Sequence, residues 1–239
     1  MTDLTSLWRA VAASPLMWLT VTLLAFLGAR WVCDRARSPV ANPVLLSILA
    51  VATLLLVTRT AYETYFDATR FIHFLLGTAT VALAVPLHQR MEKLRSMLGP
   101  LVIALVAGSL TAILSAVALG TALGASGPTL RSLAPKSVTT PIAMGISEKL
   151  GGLPPLTAVL VILTGILGAI IGEPLLDLLK VRDPSARGFA IGVASHGIGT
   201  ARAFESSEEA GAFSGLGMGL NGILTAILIP ILAALLGWI

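Results

Sequence analysis

Apolar runs of about 16 to 25 residues recur along this chain, at 15–32, 43–57, 71–87, 100–123, 156–179 and 212–238. A helix of about 20 residues crosses the hydrocarbon core of a bilayer, whereas an outer-membrane barrel is written in alternating strands of roughly 10. The runs cannot be hidden inside a soluble domain: 56% of the 239 residues are hydrophobic and only 12% are charged. The expectation is an all-α integral membrane protein with about six transmembrane helices. The first run follows Asp3 and is succeeded by arginines without a small-x-small cleavage site, so it reads as a retained helix and not as a secretion signal.

The few charges orient the spans. Arg30, Arg35 and Arg37 follow the first, Arg90, Lys93 and Arg95 follow the third, and the second connection is balanced by Arg59, Glu63, Asp67 and Arg70. The positive-inside rule then places the N-terminus outside and loops one and three in the cytoplasm. The net charge of +4 reflects these anchors and is no nucleic-acid signal, because no basic cluster interleaves with aromatics. A single cysteine, Cys33, excludes an internal disulfide.

Two segments do not fit as ordinary spans. Residues 126–152, "SGPTLRSLAPKSVTTPIAMGISEKLGG", and 183–209, which contain "GFAIGVASHGIGTARAFE", each place a polar, Pro- or Gly-bearing centre between apolar arms of about ten residues. Such an arm spans about 15 Å, half the hydrocarbon thickness, so each segment is a re-entrant hairpin or a broken helix. If 126–152 enters and returns on the outer side, Lys180, Arg182 and Arg187 fall inside, which favours the hairpin. Arg131, Lys136 and Lys149 then lie on the outer side.

An offset of 57 residues aligns "TGILGAI" at 164–170 with "NGILTAI" at 221–227 and Glu148 with Glu205. The repeat unit is one re-entrant element plus one span, and an odd number of crossings inverts the second copy. Inverted repeats with interrupted helices near the midplane are the construction of many secondary transporters. We therefore divide the chain into N-terminal scaffold helices, 1–98, and a transport-like region, 99–239.

Irregular backbone at membrane depth survives only where protein buries it or a watery cavity meets it. The first tip offers hydroxyls from Ser137, Thr139 and Thr140, with Pro141 suited to a helix start; the second offers Ser195, Gly197, Gly199 and Thr200. Two facing helix N-termini would make a compact anion site sized for a small carboxylate. His196 is either a packed, hydrogen-bonded histidine or a proton-coupling group. Arg202 either pairs with Glu205 or binds a substrate carboxylate. Glycines at 165, 168 and 172, and at 211, 215 and 219, read as surfaces for close helix packing.

An enzyme is not expected. Adjacent Ser195 and His196 diverge by about 100° on a helix, "GVASHG" misses G-x-S-x-G, and no metal-spaced His or Cys cluster exists, so no metal or cofactor is called for.

The stretches "PKSVTTPIAMGISEKLGG", "LTAVLVILTGILGA", "RGFAIGVASHGIGTARAFE" and "GAFSGLGMGLNGILTAIL" resemble, in order, the signatures of the LrgB/CidB family of antiholin-like proteins, also called murein hydrolase export regulators. "NPVLLSI" and "FLLGTATVALAVPLHQ" resemble its N-terminal part, although Thr78 stands where the family pattern has proline, so no helix break is carried over there. The resemblance implies a multi-pass protein of the bacterial inner membrane, a small LrgA/CidA-like membrane partner, and kinship with plastid glycolate/glycerate translocators and carriers of pyruvate-like acids. Joined to the polar tips, it implies a secondary transporter of small monocarboxylates, such as pyruvate, glycolate, glycerate or lactate, working as a homo-oligomer by alternating access of the C-terminal half against residues 15–87. The rival expectation is a non-transporting regulator of a holin-like partner.

Overall fold

The computed structural model describes residues 14–36, 42–82 and 84–238, which are helical with no strand among them. Arg37 of the first loop lies outside the described residues. The chain divides into two compact units, Met1–Ala82 and Leu83–Ile239, so the division falls within the third apolar run.

The first unit contains α1 (Pro15–Ala36), α2 (Pro43–Val57), α3 (Tyr62–Ala68) and α4 (Arg70–Ala82). Asn42 starts α2: its Oδ1 accepts from the amides of Val44 and Leu45 at 2.9 and 3.0 Å, and Pro43 occupies a first-turn position that needs no donor. Trp18 of α1 is fully buried and meets Tyr65 of α3 edge-on, at 5.5 Å between ring centroids. Helix α4 runs unbroken through Thr78, whose hydroxyl donates back to the Leu75 carbonyl.

The second unit contains α5 (Ala84–His88), α6 (Met91–Ser96), α7 (Leu98–Ala122), α8 (Gly127–Leu133), α9 (Thr140–Lys149), α10 (Pro154–Leu178), α11 (Pro184–Ser206) and α12 (Glu208–Leu235). Of the described helices, α1, α7, α10 and α12 are long and apolar enough to cross a membrane, and α2 is a shorter apolar helix of 15 residues. The protein is an all-α membrane protein.

Helix α11 is not a crossing. At His196 the backbone leaves helical geometry, with φ 42° and ψ −136°. A straight 23-residue helix would separate its ends by about 35 Å. Here both ends lie together: Lys93 of α6 donates to Asp183 at 2.8 Å and to Glu209 at 2.7 Å, and Ser185 donates to Glu209 at 2.6 Å. Both arms also run along α10, Arg187 pairing with Asp177 and Arg202 with Glu173. Residues 183–209 are thus a hairpin entered and left at the end that carries Arg90, Lys93, Arg95, Lys180, Arg182 and Arg187.

Residues 126–152 form the counterpart from the opposite end. Ser132, at the end of α8, accepts from the amide of Leu153, which follows α9, at 2.7 Å. The intervening 134–139 reaches inward, where the Ser137 carbonyl accepts from Asn221 in the middle of the 28-residue α12. The 57-residue offset holds at element boundaries: α8 and α11 begin at 127 and 184, α9 and the second arm of α11 cover 140–149 and 197–206, and α10 and α12 end at 178 and 235.

Close helix packing explains several of the glycines. A Cβ at Gly188 would run into the Ala210 carbonyl, and one at Gly192 into that of Ser214, so the first arm of α11 lies directly on α12. Gly165 and Gly168 of α10 instead make room for side chains, those of His196 and Ser195. In α12 the expected stripe is only partly used: Gly211 packs on Phe204, but Gly219 faces open space, and Gly217 makes the close approach, to Phe189.

Candidate functional site

Two apolar clusters bound the interior of the second unit along its length. Near the basic end, Leu101 and Leu105 of α7 pack with Phe189, Val193 and Phe213; toward the other end, Ile113 and Val117 pack with Ala134, Leu150, Ile229 and Ala233. On α7 and on α12 the residues between these clusters include the buried polar Ser109, Asn221 and Thr225. Both hairpin tips arrive at this polar layer.

Asn221 ties them together. Its Nδ2 donates to the Ser137 carbonyl of the first tip at 3.2 Å and to the Val193 carbonyl of the second hairpin at 2.9 Å. Its Oδ1 accepts from Ser109 at 2.6 Å and from Thr225 at 3.2 Å. Carbonyls only accept, so the amide orientation is fixed, and its two donors and its carbonyl oxygen are all engaged. Val161 of α10 makes a second junction: its side chain packs with Val138 and Ala143 of the first element, and its carbonyl accepts from His196 Nε2 at 2.9 Å.

His196 sits at the turn of the second hairpin, only 4% exposed, with the φ of a residue that glycine would occupy at less cost. The ring compensates: Nε2–H donates to Val161, which assigns that nitrogen its proton and makes Nδ1 the site at which a further proton could add. Thr200 donates to the His196 carbonyl at 2.8 Å and shares a hydrogen bond with Ser214 at 2.9 Å, closing the second arm over the turn. Ser195 is buried against Gly168, and Gly199 against Ser195 and Ile191, where the arms are closest. Gly197 is exposed, with only Met218 near the position a Cβ would take.

At the first tip, Thr139 precedes α9 in extended geometry and its side chain makes no capping bond. The amide of Ala143 makes the first bond of the helix, to the Thr139 carbonyl, and Pro141 has no donor, so the amides of Thr140 and Ile142 face no intrahelical partner. Ser137 is buried, Thr139 and Thr140 are half-buried, and Pro141 is exposed. The structure thus gathers Ser137, Thr139, Thr140, Ser195, His196, Gly199 and Thr200 about the two tips.

Arg202 does not join them. It lies a turn and a half beyond His196 and is held by Glu205 at 2.7 Å and Glu173 at 3.5 Å, the ion-pair alternative read from the sequence. Two contributors are not singled out by the sequence pattern. Asn221 stands there only as half of a repeat match, and Lys136, half-buried at the first tip, reads as one of the outer-side charges. An ionisable residue inside a membrane segment is the signal that singles out Lys136.

At the hairpin base, Lys93 is held above its ordinary range by its hydrogen bonds to Asp183 and then Glu209, and Asp183 is held below the usual carboxylate range chiefly by Lys93.

Fold and site together define a membrane protein built on two opposed re-entrant hairpins whose polar tips meet between crossing helices. The chain belongs to the LrgB-like family, whose sequence model matches residues 22–235. It is 36% identical over 214 residues to the protein YwbG of Bacillus subtilis, covering 90% of this chain and 95% of that one. It is also 32% identical over 222 residues to the holin-like protein CidB of Staphylococcus epidermidis, covering 92% and 96%. No solved structure matches.

Proposed function

We propose that this protein is a secondary transporter of small monocarboxylates in the bacterial inner membrane, without enzymatic activity of its own. The observation that carries the reading is the meeting of two helix-starting tips, entering from opposite ends, at one buried polar layer spanned by Asn221. Each tip is connected to a different face, so a ligand held between them is exposed to either side by movement of one hairpin at a time. Free amides and hydroxyls at Thr139 and Thr140, with the backbone at Gly197, suit the oxygens of a small carboxylate. His196 Nδ1 offers a place for a coupled proton.

The second reading is a non-transporting regulator of a small holin-like partner, and the name of the staphylococcal relatives favours it. Proteoliposomes separate the two. Labelled pyruvate, lactate, glycolate or glycerate is expected to exchange across vesicles containing the purified chain. If none moves, with or without a co-reconstituted small partner, the transporter reading is wrong.

A further inference from the structure

Among the described residues, Lys136 is the one cation at the meeting point of the hairpins. Its neighbour Ser137 is bonded to Asn221, which lies about 20 Å from either end of α12, so the lysine is carried at mid-depth. It is half-buried, next to the residue whose carbonyl Asn221 binds. Arg187, Arg202 and Lys93 are each engaged by carboxylates, whereas no carboxylate lies within ion-pair distance of Lys136 among the described residues. A lone charge in a membrane interior is costly, and a site that keeps one without a resident counter-charge is complementary to an anion that comes and goes.

We infer that Lys136 is the ion partner of the substrate carboxylate and sets the selectivity of the site for singly charged acids. This rests on the carboxylate reading above and extends it to a residue and a rule. One ammonium neutralises one carboxylate, with the hydroxyls of Thr139 and Thr140 and the free amides of α9 following within a turn to share the remaining oxygen lone pairs. His196 is bound to a carbonyl through Nε2 and brings no fixed second cation. A dicarboxylate would therefore leave one charge unpaired in a desolvated site, and an amide would leave the lysine unpaired.

The test uses the purified full-length chain in detergent, with melting temperature followed against pyruvate, lactate and glycolate, and against malonate and lactamide as doubly charged and uncharged probes. The monocarboxylates are expected to stabilise the wild type and the other two not. Lys136→Gln is expected to raise the half-saturating concentration about ten- to a hundredfold, the loss of one charge-assisted contact, while Lys136→Arg retains measurable binding. An unchanged half-saturation in Lys136→Gln, or equal stabilisation by malonate, overturns the inference, as does a wild type that none of the monocarboxylates stabilises. Should Lys136→Gln not fold, Lys136→Cys in a Cys33→Ser background supplies the answer. Binding is expected to return after modification with an aminoethyl thiosulfonate and not after the methyl reagent, and equal effects of the two overturn the inference. Proteoliposome exchange measured in parallel keeps the two ideas apart. Binding that depends on Lys136 without transport removes the transporter reading alone, and transport with an unaltered KM in Lys136→Gln removes Lys136 alone.

Discussion

At the scale of single residues, the second unit's interior turns on two side chains with opposite legibility. His196 was visible from sequence because a titratable ring between glycines has no business in an ordinary span. Its strained φ and its bond to Val161 supply the reason for it. His196→Gln keeps a donor for the Val161 carbonyl but cannot carry a proton, so uptake by the variant is expected to lose its dependence on pH near neutrality. An unchanged pH profile of initial rates would remove the residue from coupling. Asn221 was not legible, because the carbonyls it satisfies come from segments 28 and 84 residues away, and no local pattern announces such partners. Asn221→Ala strips four hydrogen bonds from a buried layer and is expected to cost about 1–3 kcal/mol, read as a lowered melting temperature in detergent. A melting temperature within error of the wild type would show that water replaces the amide at no cost.

At the scale of elements, the length of the apolar runs located the long helices to within a few residues, since lipid-facing length is a property of composition. The hairpin in 183–209 was legible as an interruption and, through the repeat and the charges, as a re-entrant element, but the contact of Ser185 and Lys93 with Glu209 that closes its base was not. The same contact predicts how the hairpin base responds to pH. Asp183, whose pKa is depressed, contributes stability above its ordinary value near 4 and loses it as acid protonates it. Lys93, whose pKa is raised, contributes below its ordinary value near 10.5 and loses it as base deprotonates it. The stability difference between wild type and Lys93→Met is expected to be at most about 1 kcal/mol, because Lys93 and Asp183 are both more than a third exposed. It should stay flat from about pH 5 to 9 and shrink on both sides, as thermal melts across pH would record. The glycines make a sharper prediction. Gly192→Val pushes a branched side chain into the Ser214 carbonyl and should destabilise by about 1–3 kcal/mol or more, whereas Gly219→Ala enters open space and should be tolerated. Equal melting temperatures for the two variants would contradict the close packing of α11 on α12.

At the scale of the whole second unit, the 57-residue repeat and the charge distribution are independent statements about one geometry. The repeat holds at the starts of α8 and α11 and at the ends of α10 and α12, so the two copies share a construction. Because each copy contains one hairpin and one crossing helix, they must enter from opposite faces, and hairpins entering from one face would require an additional crossing. The basic residues distinguish the faces: Arg90, Lys93, Arg95, Lys180, Arg182 and Arg187 gather where the second hairpin begins, and the positive-inside rule expects that end in the cytoplasm. Lys149 closes the first hairpin and Lys180 opens onto the second, and both are exposed. In a Cys33→Ser background, a cysteine at position 180 should therefore react with a membrane-impermeant thiol reagent only after the cells are opened, and one at position 149 should react in intact spheroplasts. Labelling of both positions from the same side would break the inverted arrangement, and with it the argument that the polar tips meet from opposite faces.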